Sequence, residues 1–105
     1  MPEMHFKVEW PNGTVDDCYS PSYVIEEYLV VDAEYPVADF VERTSTALTI
    51  ASERVQARYG FACSSALDQL AAIRGRAAEL NAREREGKVK VLGFVRHPPR
   101  DARAR

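Results

Sequence analysis

Two cysteines and two histidines are the side chains of this 105-residue chain best suited to nucleophilic or metal chemistry. Cys63 is the most suggestive. It stands just ahead of Ser64-Ser65, where a helix is expected to open. A helix N-terminus offers unpaired amide donors and the positive end of its dipole, and both favour a thiolate. Arg58, in the preceding helical turn, would add positive charge. The same position also suits a small buried hydrophobe at a helix joint. Cys18 lies at the end of an expected strand and would form a redox pair with Cys63 if their Cα atoms came within about 7 Å. Cys63, Cys18 and Arg58 are therefore the candidate catalytic residues. His5 alternates with Met4 and Phe6, so it should point away from the core and from any buried thiol. Zinc ligation would need Cys18, Cys63, His5 and His97 all to meet, and no metal is expected. The chain has no Walker loop, no GxGxxG and no CxxC, and no cofactor is expected.

A second group of residues suits binding rather than reaction. Tyr19, Tyr23, Tyr28, Tyr35 and Tyr59 each offer an apolar ring with a polar tip, the combination enriched at interfaces, and they are the candidate interface residues. They would serve equally well as the rim of a small core. Glu26, Glu27, Asp32 and Glu34 read as a solvated face.

These side chains must be positioned by few elements, because 105 residues make one domain. Met4, Phe6, Val8 and Trp10 alternate with polar residues and predict a strand with one buried face. Asn12-Gly13 predicts a tight turn, so residues 4–19 should form a β-hairpin. A two-residue loop would turn Val15, Asp17 and Tyr19 to the face of Trp10, and would bury Asp17. A bulge at Asp16-Asp17 would instead put Cys18 on the core face. Ser20-Pro21 reads as a helix start for a short helix through Tyr23, Val24, Ile25, Tyr28 and Leu29. Residues 30–36 read as a connection.

A longer helix starts at Val37 and runs on three- and four-residue apolar steps to Tyr59, with Gly60 as its left-handed cap. The next helix should bury Leu67, Leu70, Ile73, Ala77 and Leu80 and continue towards Gly87. Lys88 to Val95 is apolar and β-branched and predicts a third strand. The order β-β-α-α-α-β gives an α+β domain over residues 1–96: a hairpin and a C-terminal strand in a small antiparallel sheet, packed on two antiparallel helices. Residues 97–105 should form a flexible basic tail.

The charge is divided along the chain. Residues 1–53 carry two bases against eleven acids, a net of −9, and residues 54–105 carry twelve against five, a net of +7. The halves should pack together and neutralise each other. No apolar run is long enough to span a membrane, and the first residues lack the basic-then-apolar pattern of a secretory signal. Two cysteines do not make a disulfide framework, so the expected compartment is the cytoplasm.

Three stretches together carry a family resemblance: Met1-Pro2-Glu3-Met4-His5-Phe6 with Trp10-Pro11-Asn12-Gly13, then Cys18-Tyr19-Ser20-Pro21-Ser22, then residues 47–54 leading into Tyr59-Gly60-Phe61-Ala62-Cys63-Ser64-Ser65-Ala66-Leu67-Asp68. They resemble a family of small bacterial proteins named for a nitrogen-starvation response. The resemblance implies genes encoded beside a nitrilase, a radical-SAM protein, a flavin oxidoreductase and an acetyltransferase, and a context of nitrile or cyanide nitrogen assimilation. It implies no catalytic residues. The expected function is therefore that of a non-enzymatic accessory protein. It should be a homo-oligomer acting with a protein of the same gene cluster, with no membrane or nucleic-acid partner. One alternative is a thiol enzyme or carrier using Cys63. The other is a nucleic-acid-binding regulator, drawing on Arg96, Arg100, Arg103 and Arg105.

Overall fold

The computed structural model describes residues 3–60 and 64–97. Its first strand, β1 (Glu3–Glu9), buries Met4, Phe6 and Val8 and leaves His5 half-buried on the other side, as the alternation requires. β2 (Val15–Ser20) returns antiparallel, with Val8 opposite Asp16, Phe6 opposite Cys18 and Met4 opposite Ser20. The loop between them has three residues, not two. The Gly13 amide donates to the Trp10 carbonyl at 2.9 Å, and the Trp10 amide donates to the Thr14 carbonyl at 2.8 Å. Gly13 has φ +88°, a left-handed conformation that glycine adopts without strain. Pro11 and Asn12 keep negative φ, so this is a type I turn closed by a left-handed glycine. The extra loop residue shifts the register by one. Cys18 faces the core and Asp17 faces solvent, and no bulge at Asp16-Asp17 is needed.

The expected short helix is a 3-10 turn over Tyr23–Glu27. Its cap is Ser22 rather than Ser20: the Ser22 hydroxyl accepts from the Val24 amide, while the Ser20 hydroxyl donates to the Ser22 carbonyl. The segment expected as a connection contains a further strand, β3 (Glu34–Pro36). Asp32, at φ +71°, turns the chain just ahead of it and donates its amide to the Val91 carbonyl. The last strand, β4 (Lys88–His97), completes an antiparallel sheet in the order β2-β1-β4-β3. β4 carries an irregularity. Lys7 pairs with Gly93 and Val8 with Val91, so Leu92 is an extra residue. The inward positions therefore change from Val89 and Val91 to Phe94 and Arg96.

The helices cover one side of this sheet. α1 (Val37–Tyr59) starts and stops where the sequence places it, and Gly60 caps it at φ +86°. It lies against β3 and β4, while α2 (Ser64–Ala78) lies against β2 and α1. The buried face of α2 is Ala66, Leu70 and Ile73, continuing to Leu80. The expectation for Leu67 is overturned: it is 47% exposed. Ala66, Leu70, Ile73, Ala77 and Leu80 follow the helical repeat of a single stripe, and Leu67 stands one position off it. The helix also ends before Gly87. Asn81 starts a separate one-turn α3 (Ala82–Arg85) with a capping box to Glu84. Gly87 then passes Pro11 so closely that a Cβ there would stand 2.7 Å from the proline Cβ.

One polar cluster ties the hairpin to the helices. Trp10 is buried edge-on against Phe40 of α1, with ring centroids 5.3 Å apart. Its indole N–H donates to Asp16 at 2.8 Å. Arg76 of α2 holds both oxygens of the same carboxylate, at 2.9 and 3.1 Å. Asp16 with Arg76, and Glu26 with Arg96, each join an acid of the first half to a base of the second, which is how the divided charges interleave.

The core assignment is checked by two truncations. Leu48, fully buried, should lose about 2–5 kcal/mol as Leu48→Ala. Leu67→Ala should lose less than about 1 kcal/mol. Chemical denaturation of both variants measures this directly, and equal losses would contradict the helix packing.

Candidate functional site

Among the described residues no helix lies on the sheet's second face. β1 presents Glu3, His5, Lys7 and Glu9 there, and β2 presents Val15, Asp17 and Tyr19. Beyond the extra residue, β4 presents Gly93, Val95 and His97. His5, Lys7, Asp17, Leu92, Gly93 and Val95 line a shallow recess of about 490 Å³. Gly93 forms part of its floor, since no atom of the described residues lies within 4 Å of where a Cβ would stand. Val15 and Val95 are 51% and 58% exposed.

Two histidines distant in sequence meet at one end of this face. His5 Nδ1 and His97 Nε2 are 2.8 Å apart, with the rings nearly perpendicular. One nitrogen carries a proton and the other accepts it. The Tyr19 ring stands edge-on to His5, and its hydroxyl donates to Glu3 at 3.3 Å. The sequence shows that His5 points outward, but nothing local indicates that β4 pairs with β1 in the register that brings in His97. Among the described residues no three His, Cys, Asp or Glu side chains form a group able to hold a metal ion.

Of the thiol candidates, Cys18 lies among the described residues. Cys18 is a free, buried cysteine in the core. Burial pushes its pKa from 9.0 up to about 12, and the carboxylates of Asp16 and Asp17 push the same way against the opposing pull of Arg76. A thiol in that state is no nucleophile near neutral pH. Cys63, and with it the suggested thiol pair, lies outside the described residues. Arg58 is exposed near the end of α1, with its guanidinium 6.0 Å from the Tyr59 ring centroid.

The tyrosines lie on different elements. Tyr23, Tyr28 and Tyr35 pack against the core from its rim. Arg96 lies over Tyr23 at 4.4 Å, and Arg43 over Tyr35 at 4.7 Å. The Tyr35 hydroxyl accepts from the Val30 amide, and the Tyr28 carbonyl accepts from Arg43. Tyr59 is 48% exposed, and Tyr19 belongs to the open face of the sheet. Glu26, of the expected acidic face, is held by both arms of the Arg96 guanidinium at 2.8 Å, which keeps its carboxyl below the usual range. The arginine nearest the described C-terminus is thus already engaged.

The model of the nitrogen starvation-induced protein NitG family matches residues 5–94. The chain belongs to that family. No curated protein and no solved structure is significantly similar to it. The NitG match runs from β1 into β4, so it includes the Trp10–Asp16–Arg76 cluster, the recess residues up to Phe94 and Cys18. Among the described residues no helix is long and apolar enough to cross a membrane.

The state of Cys18 gives a pH dependence with a defined sign. Its neutral thiol is favoured in the folded chain, so that contribution to stability is complete below the unfolded value of 9.0 and is lost as pH rises towards about 12. Stability of the native chain should fall over this range, and Cys18→Ala should flatten the fall while lowering stability at neutral pH. Urea melts across the range test this; a slope unchanged by the substitution would contradict the burial of the thiol.

Proposed function

We propose that the chain is a non-enzymatic accessory protein of the nitrogen-starvation response, working by binding through the open face of its sheet. The observation that carries this reading is that face itself. A small domain ordinarily uses both sides of a sheet or makes the second uniformly polar. Here the second side keeps two exposed valines, a recess and a histidine pair on a rigid strand scaffold. Membership of the NitG family supplies the nitrogen-starvation context. The likeness noted in the sequence narrows the context to nitrile or cyanide nitrogen assimilation, with a partner encoded in the same cluster, and the low cysteine count points to the cytoplasm. The described cysteine supports binding over chemistry, because its thiol stays protonated in the core. Arg96 supports a protein surface over a nucleic-acid one, because Glu26 and Tyr23 already occupy it.

Growth on a nitrile or cyanide as the nitrogen source tests the role. Deleting the gene should impair that growth, and the wild-type chain should restore it. Cys63→Ser should restore it as well, and Val95→Glu, which places a charge on the open face without touching the core, should not. Failure of Cys63→Ser would move the function to thiol chemistry. Full rescue by Val95→Glu would remove the open face from it.

A further inference from the structure

We propose that the open sheet face is where two copies of this chain associate about a two-fold axis, with Lys7 of each copy meeting Asp17 of the other. The inference rests on reading this face as a binding surface, and it names the first occupant.

Lys7 and Asp17 stand directly opposite each other on β1 and β2, and both are exposed. The Tyr19 amide points away from β1 to the Gln69 side chain at 2.9 Å, so His5–Tyr19 is a non-hydrogen-bonded pair. By the alternation of an antiparallel ladder, Lys7–Asp17 is another, the kind in which side chains stand closest. Neither residue is held in an ion pair among the described residues. They form a plus–minus couple whose members both line the recess.

A two-fold axis lying in the interface, parallel to the strands and between β1 and β2, sets each charge over its opposite in the second copy. An interface between identical surfaces requires this self-complementarity. A couple of one sign would repel itself, whereas this one matches its own inverse. The surroundings add apolar surface, since Val15 and Val95 flank the couple and Leu92 lines the recess. Two twisted sheets pack face to face about 10 Å apart, and the space above Gly93 can receive an apolar side chain of the other copy.

Other routes by which a second copy would join the sheet are narrowed at one edge and short at the other. An exposed edge strand pairs with another chain through its free amides. At the β2 edge, Gln69 takes the Tyr19 amide. At the β3 edge, the strand is three residues long and ends in Pro36. Among the described residues no helix or further strand lies on the open face, which leaves it as the broad surface available to a second copy.

Sedimentation velocity on the full chain, with folding checked by circular dichroism, tests the proposal. The wild-type chain should be a dimer. Lys7→Glu makes the couple wholly acidic and Asp17→Lys makes it wholly basic. Each should raise the dissociation constant at least about tenfold, because like charges meet across the axis. The double variant Lys7→Glu/Asp17→Lys should recover the dimer, and an equal mixture of the two single variants should form a heterodimer. A wild-type monomer at every concentration, single variants as dimeric as wild type, or a double variant that stays monomeric each overturns it. If the chain is a monomer and Val95→Glu still fails to support growth, the face binds a different partner: self-association is refuted while the binding-surface reading stands.

Discussion

The turn of the first hairpin decides which side of the sheet each residue of β2 faces. Because side chains alternate along a strand, a shift of one residue would move all of them to the opposite face. Gly13, in left-handed backbone, closes a three-residue loop and sets that register. Asp16, Cys18 and Ser20 consequently face the helices, while Val15, Asp17 and Tyr19 face the open side. The polar cluster depends on this, because only in this register does Asp16 stand between the Trp10 indole and the Arg76 guanidinium. That carboxylate lies in the helix-covered layer and is partly shielded, so its charged partner is needed there. Trp10, in turn, anchors the hairpin to α1 through Phe40.

The same register builds the open face, with the extra residue Leu92 in β4 as the second device. Leu92 switches the alternation, so that Val89 and Val91 fill the core below it and Phe94 faces the same way above it. Gly93 and Val95 are thereby turned outward, and His97 comes beside His5. The face combines residues from the two ends of the chain, and it stays rigid because β1 and β4 are the central strands of the sheet.

Much of this was legible in the sequence, and the failures have identifiable causes. The bounds of α1, its Gly60 cap, the outward His5 and the α+β order follow from strong periodicity and one glycine. The hairpin loop was readable in principle. Pro11 followed by Asn12 and Gly13 has the proline and glycine placement of a type I turn, but Asn-Gly also suits the tighter turn and hides it. Leu67 misleads because a large apolar residue sits next to a small one, Ala66, which takes the buried place. β3 is too short to show a period, and it exists only because β4 offers an edge to it. The histidine pair joins residues 92 positions apart, and its partners are set by sheet order, which no local pattern encodes. The candidate site was therefore visible as single residues and not as an arrangement.

Cross-strand contacts between α-protons, measured by nuclear Overhauser effects, test the hairpin register most directly. In an antiparallel ladder these protons come closest across non-hydrogen-bonded pairs. Strong contacts are predicted between Lys7 and Asp17 and between His5 and Tyr19. Strong contacts between Val8 and Asp17, or between Phe6 and Tyr19, would mark the two-residue loop. They would turn Asp16 away from Trp10 and Arg76, and they would contradict both the core and the open face as described.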